Sequence, residues 1–352
     1  MKGMRLVAAA LALTLISVGC QPAGEPGREP TRRTIVIYGF SVQEEVMTED
    51  ILPAFQAYWR EQTGQEVSFQ SVFTGSEEIA EAIIGGAPAD VAVLSNEQHA
   101  VWLRINDCVE TDWHTLPHQG TISRSPIVIV VRPGNPLGIK DWADLTGPGV
   151  KLIQSDPHTS GGAQWALLAE YGSSMLLEGG SKEVACEQLR GIWANVIAAP
   201  ASSREALRRF VFGAGDALVT YEQDALLAQA RGATLEVVAP HSTFVSEHAA
   251  VIVDSNVRPY EREVVEAFVD FLWSEEAQRA FTRYYFRAVT DEALNEAVSE
   301  FHKIERPFTV QDLGGWGRAY PEIIHGVWEE QILRLQNWET SSRGGYSQCL
   351  TR

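Results

Sequence analysis

Apolar and polar positions along the chain switch repeatedly between two periods. "TIVIY" at 34–38 is a β-branched run typical of a buried strand. "ILPAFQAYWREQTG" follows with Ile51, Leu52, Phe55, Tyr58 and Trp59 at helical spacing, and Gly64 as the stop. Pro53 predicts that the regular helix starts there. "EVSFQSV" alternates like a strand, "TGSEEIAEAIIGG" reads as a helix from near Ser76 to Gly85, and "DVAVLS" is a strand with a helix after it to about Ile105. Further strands are "IVIVVR", "VKLIQSD", "ALVTY", "LEVVAP" and "AAVIVD". Helices are predicted over 160–172, 182–195, 203–212 and 223–230, with three more helical stretches ending near 335. Alternating βα units predict a three-layer α/β fold with mainly parallel sheets. Ligands of such sheets sit beyond the carboxyl ends of strands. The loops to watch are therefore "YGFSVQ", "VFTGSEE", "SDPHTSGG", "APASSRE" and "VTYEQD".

The ends follow another pattern. Lys2 and Arg5 precede an uncharged run that reaches Cys20, too short for a comfortable membrane span and suited to a secretory signal. "SVGC" resembles the cleavage site of bacterial lipoproteins, with Cys20 as the lipid attachment residue, although Ser17 stands where that motif usually has an aliphatic residue. Residues 21–33, rich in Pro, Gly and charge, read as a flexible tether, and 336–352 as a disordered tail. Export permits a disulfide among Cys108, Cys186 and Cys349, with the pairing open.

Length and charge narrow the function. At 352 residues the chain is long enough for two domains. Its 46 acidic and 28 basic residues give a net charge of −18, which argues against nucleic acid. "EGGSKE" lacks the order of a phosphate loop, and neither a dinucleotide fingerprint nor a nucleophile elbow occurs. His114 and His118 are four apart, but Pro117 spoils a regular helix between them, so no metal site is predicted. Acidic pairs such as Glu44–Glu45 and Glu77–Glu78 read as solvated helix starts favoured by the dipole. Nothing assembles into a nucleophile, base and orienting group, so the chain is not expected to be an enzyme and no cofactor is implied.

What recurs is a hydroxyl residue at a strand-to-helix junction: Ser76, Ser160 and Ser203. Each could be a simple N-cap. Three together could also converge on one anion, held by helix-start N–H groups and hydroxyls without a counter-charge. "PHTSGGAQW" adds Gly161 and Gly162 at a helix start, where a double glycine implies close approach to the backbone.

These stretches carry a resemblance. "ILPAFQAYWREQTGQEV", "PADVAVLS", "VVRPGNPLGIKDWADL", "PHTSGGAQW" and "LGGWGRA", in this order, resemble the signature stretches of the periplasmic sulfate-binding proteins of ABC importers, from about Ile35 to about Leu333. The resemblance implies the type II periplasmic-binding-protein fold: two three-layer α/β lobes joined by two crossover strands, closing like a flytrap. The crossovers would lie near 125–131 and 245–252, with one lobe formed by 34–122 plus 249–335 and the other by 123–248. The family holds sulfate with neutral donors. Carried over, these are Ser76, Ser160, Gly161, Gly162, the backbone of Ser203, and Tyr221 where the family has an indole, with Ser41, Glu77, Arg204 and Glu222 behind them.

Glu77 and Tyr221 depart from the family pattern, which has glycine and tryptophan there, and "GFSVQEE" lacks the family's Tyr-Asp and arginine. A carboxylate facing the ligand would weaken the case for sulfate and suit a protonated anion such as hydrogen phosphate. Glu77 is expected to face solvent on the first helical turn. The resemblance implies a monomeric, membrane-tethered extracytoplasmic binding protein that delivers sulfate or thiosulfate to a permease and its ATPase. Alternatives are the same fold binding phosphate, molybdate or another oxyanion, a sensor or accessory lipoprotein, and a hydrolase on the same scaffold.

Overall fold

The computed structural model describes residues 32–334. Cys20, Cys349, the signal segment, most of the tether and the predicted tail lie outside them. The strands are β1 Arg32–Phe40, β2 Glu66–Thr74, β3 Val91–Leu94, β4 Thr121–Val131, β5 Leu152–Ile153, β6 Val196–Ala198, β7 Ala217–Tyr221, β8 Glu236–Val238, β9 Ser242–Ile252 and β10 Arg306–Phe308. The helices are α1 Leu52–Thr63, α2 Ser76–Ile84, α3 Glu97–Ile105, α4 Gly161–Met175, α5 Lys182–Ala194, α6 Ser203–Val211, α7 Glu222–Ala230, α8 Arg262–Phe271, α9 Glu275–Arg283, α10 Glu292–Glu296 and α11 Trp316–Ala319. Wide π-type turns cover Val46–Ile51 and Tyr320–Leu333.

One sheet path runs β2-β1-β3-β9-β4-β7-β5-β6, with β10 beside β9 and β8 beside β4. The wings β2-β1-β3 and β7-β5-β6 are parallel, as the βα alternation predicts. The centre is antiparallel. β4 pairs with β9 over Thr121–Pro126 and with β7 over Ile127–Val131. β9 likewise reaches β3 through Ala249–Ile252. Pro126, which has no N–H to give, sits where β4 changes partner.

Side chains of β1 alternate between buried and half-buried, placing Ile35 and Ile37 in the core. Phe55 of α1 meets Phe268 and Phe271 of α8 edge-on at centroid distances of 5.2 and 5.5 Å. A smaller core holds Val128, Val130, Leu207, Phe210 and Leu218. Helix α4 is buried on every side except at Met175, which makes it a core helix rather than an amphipathic one. Trp165 of α4 stacks edge-on against Trp316 at 4.8 Å, so the "GGAQW" and "GGWGR" stretches are packing partners.

Some boundaries move. β1 begins at Arg32, two residues before the predicted start of the folded part, because Arg32 and Arg33 pair with Glu66 and Val67. β6 and β10 have three residues each and escape a periodicity argument. Cys186 is disulfide-bonded and Cys108 is a buried free thiol, so the two are not joined to each other.

Candidate functional site

The loops after β2, β3, β5, β6 and β7 each lead into a helix, and these helix starts meet. Ser76 opens α2 and is buried. Its Oγ accepts from Ser95 N at 2.9 Å and lies 2.8 Å from His99 Nδ1. Asn96, the N-cap of α3, accepts from His99 N. Ser160 caps α4 by accepting from Ala163 N. Ser202, not Ser203, caps α6. Neither Ser76 nor Ser203 is therefore an N-cap. The Ser203 hydroxyl is left beside those of Ser155 and Ser160, at 3.4 and 3.5 Å. Tyr221, at the start of α7, puts its hydroxyl 2.9 Å from Ser95 Oγ, and burial pushes its phenol up, which keeps it a donor.

The double glycine is a contact requirement. A Cβ on Gly161 would lie 2.6 Å from Ser95 Oγ, and one on Gly162 would lie 2.3 Å from Ser203 Oγ and 3.0 Å from the Tyr221 hydroxyl. Gly75 is tighter still, with a Cβ meeting Thr159 O at 2.2 Å. Protein hydroxyls and carbonyls make the close approaches at all three positions. Ser95 was not among the sequence candidates. It carries the same signal as the others, a hydroxyl residue directly after a strand and before a helix. Trp165 Nε1 donates to Ser95 O at 2.8 Å and pins α4 to that loop.

Glu77 corrects an expectation. It does not face solvent; it is 9% exposed, and its carboxylate accepts from Gln164 Nε2. The backbone N–H of Glu77 donates to Thr159 O at 3.2 Å. Gln164 Oε1 accepts from Asn96 Nδ2 at 2.9 Å. The dipole argument considers α2 alone, whereas the start of α4 covers this turn and turns the carboxylate inward.

Ser41 is buried in the turn after β1, which packs on α6. Arg204 pairs with Glu45 at 2.5 Å and with fully buried Asp224 at 3.2 Å, so its charge is matched within the protein. Glu222 turns away from the hydroxyl cluster. It takes two hydrogen bonds from Arg287, at 2.8 and 3.1 Å, and one from His302 N at 2.7 Å. These bonds tie α7 to the later chain. Among the described residues there is no group of three or more His, Cys, Asp or Glu side chains placed to hold a metal ion. Chemically, the cluster offers hydroxyls, a phenol and helix-start N–H groups, a set suited to oxyanions.

A family model for bacterial extracellular solute-binding proteins matches residues 37–287. A sulfate-binding protein of Synechococcus elongatus is 34% identical over 332 residues, covering 93% of this chain and 94% of that protein. A thiosulfate-binding protein of Pseudomonas aeruginosa is 32% identical over 270 residues, covering 75% and 81%. The solved structure of the sulfate-binding protein SubI from Mycobacterium tuberculosis superposes with a TM-score of 0.76 at 29% identity, covering 82% of this chain and 99% of that one. The chain belongs to the family of bacterial extracellular solute-binding proteins.

Proposed function

We propose that this protein captures a tetrahedral oxyanion, sulfate or thiosulfate, outside the cytoplasm and delivers it unchanged to an ABC importer. The carrying observation is the convergence of Ser76, Ser160, Gly161, Gly162, Ser203 and Tyr221 on one buried cluster of neutral donors. Similarity to sulfate- and thiosulfate-binding proteins supports the ligand class. The two expected lobes, 34–122 plus 249–335 and 123–248, would hinge where β4 and β9 change partners, with Phe308, Trp316 and Trp328 packed on β9, α4 and α5 of the second lobe rather than on the first. Contacts across the seam support closure over the site: Ser95 to Tyr221, Glu77 to Thr159 and Asn96 to Gln164. Cys20 would anchor the protein as a monomer to the membrane surface through lipid.

Calorimetric titration of the 32–352 segment with sulfate and thiosulfate tests this reading. Binding below about 100 μM, roughly −5.5 kcal/mol, is expected. Ser160→Glu should abolish it with an unchanged circular dichroism spectrum, because the new carboxylate fills the anion's place at a helix start. No binding by the native protein, or unchanged affinity in the variant, would overturn the assignment.

A further inference from the structure

The Ser76 hydroxyl is engaged in a way that a simple anion donor is not. Its oxygen accepts from Ser95 N at 2.9 Å and lies 2.8 Å from His99 Nδ1. On the far side of the ring, His99 Nε2 is buried without a hydrogen-bond partner and stands 3.8 Å from Glu77 Oε2. That separation is electrostatic rather than a hydrogen bond. Ser76, Ser95, Glu77 and His99 come from α2, α3 and the loop before α3, and Gln164 of α4 holds the Glu77 carboxylate inward beside the ring.

These partners assign the proton positions. A carboxylate attracts an N–H and repels a lone pair, so neutral His99 carries its hydrogen on Nε2, toward Glu77. Nδ1 is then bare, and the Ser76 O–H donates to it. With one lone pair taken by Ser95 N, the Ser76 oxygen has only its second lone pair left for the pocket. A fully ionised oxyanion would meet a lone pair there.

We propose that His99, oriented by Glu77, sets whether Ser76 accepts from or donates to the bound oxyanion, and that a fully ionised oxyanion binds with uptake of one solvent proton onto His99 Nδ1. The proposal rests on the anion-binding reading above. The added proton sits on Nδ1 and donates to Ser76 Oγ; the Ser76 O–H turns to the anion; Nε2–H stays toward Glu77. A protonated oxyanion instead offers its own O–H to Ser76 and needs no added proton. His99 is a positioning residue here, acting through Ser76.

The surroundings agree. Burial holds the imidazole below its ordinary range, with Glu77 and Gln164 opposing that shift, so the free site holds a neutral ring at pH 8. Incoming negative charge favours the cationic ring. Gln164 faces His99 from α4; on its own helix Trp102 lies at a centroid distance of 5.0 Å, with the Tyr320 phenol beyond Trp102. Burial, reinforced by Glu77, Glu329 and Glu81, keeps that phenol protonated.

Two measurements test the proposal. In protein with nitrogen-15-labelled histidine, assigned by difference from His99→Asn, the free state should show hydrogen on Nε2 alone, and hydrogen on Nδ1 alone would overturn the proposal whether or not any anion binds. Titration of sulfate at pH 8 in two buffers of different ionisation enthalpy should give about one proton taken up per anion and a Kd rising about tenfold per pH unit. Inorganic phosphate should bind with no added proton. His99→Asn, whose side-chain amide donates to Ser76 permanently, should bind sulfate with no uptake and no such slope. Sulfate binding without proton uptake in the native protein, or uptake that persists in His99→Asn, would refute the mechanism while leaving oxyanion binding intact. If neither sulfate, thiosulfate nor phosphate binds, the binding function falls, and the nitrogen spectra alone decide the tautomer.

Discussion

Gly75→Ala isolates the seam between the two lobes. Gly75 has φ −64° and ψ 140°, a conformation alanine adopts freely, so the substitution adds no backbone strain. Within its own lobe the change is nearly neutral. Replacing glycine lowers unfolded-chain entropy by about 0.4–1 kcal/mol, and alanine is a poorer N-cap by a similar amount. Across the seam the new Cβ would stand 2.2 Å from Thr159 O and 3.1 Å from Ala201 O, both backbone atoms of the opposite lobe. Carbon and oxygen atoms need more than about 3 Å, so the lobes must part by about 1 Å. That gap takes the Glu77 N to Thr159 O bond out of reach and stretches the Gln164 contact to the Glu77 carboxylate to the edge of hydrogen-bonding range. At about 1 kcal/mol for the lost bond and about 1 for the weakened charged one, closure loses about 2 kcal/mol. Anion affinity should fall about 30-fold. Calorimetry gives the Kd, and a thermal melt without ligand should stay within about 2 °C of the native protein. Unchanged affinity would refute the closing seam. A large fall in the ligand-free melting temperature would show that Gly75 and Thr159 belong to one permanently packed core.

Glu170 of α4 is fully buried, accepts from Gln154 Nε2 at 2.6 Å, and burial pushes its carboxyl up to about 8. A raised carboxyl contributes stability that is complete below its unfolded value and is lost as pH rises toward 8. Glu170→Gln should therefore flatten the fall of melting temperature between pH 5 and 8 and stabilise at pH 8 by about 4 kcal/mol; an unchanged slope would contradict the burial argument. Glu222→Gln leaves Arg287 short of its buried partner and should cost about 3 kcal/mol in a denaturant melt. Its anion affinity should be unchanged, and a specific loss of affinity would restore Glu222 to the binding site.

The parallel wings were legible because each βα unit carries its own periodicity and its own stop. The central pairing of β4 with β9 was not legible from alternation, since both strands are buried along most of their length. The family resemblance implied two crossover strands near 125–131 and 245–252 but not their antiparallel pairing. Ser76, Ser160 and Ser203 were legible as a set because a hydroxyl at a helix start is a local signal. Which of them cap was not, because that depends on whether the helix begins one residue earlier or later; Ser202 took the cap of α6 and left Ser203 free. Ser95 and the inward turn of Glu77 both depend on α4, whose glycines admit the hydroxyl and whose Gln164 holds the carboxylate. No property of residues 74–100 taken alone contains that information.

The net charge and the anion site separate by distance, and salt should reveal it. Cations near the cluster are already matched: Arg204 by Glu45 and Asp224, and Arg231 by Glu45 and Glu49. A dianion is therefore held by local dipoles, whose contact-range interactions salt screens little. Its approach is different, because a body of net charge −18 repels it over tens of ångströms. Raising ionic strength from 10 to 150 mM shortens the screening length from about 30 to about 8 Å. Association should then quicken by several-fold while dissociation stays nearly constant, so that Kd falls with added potassium chloride. Stopped-flow fluorescence can follow this, since Trp165 donates to Ser95 O at the site. A site built on lysine or arginine charge would respond in the opposite sense. A Kd that weakens with salt at constant pH would show that an unmatched cation holds the anion, and would refute the neutral-donor reading directly.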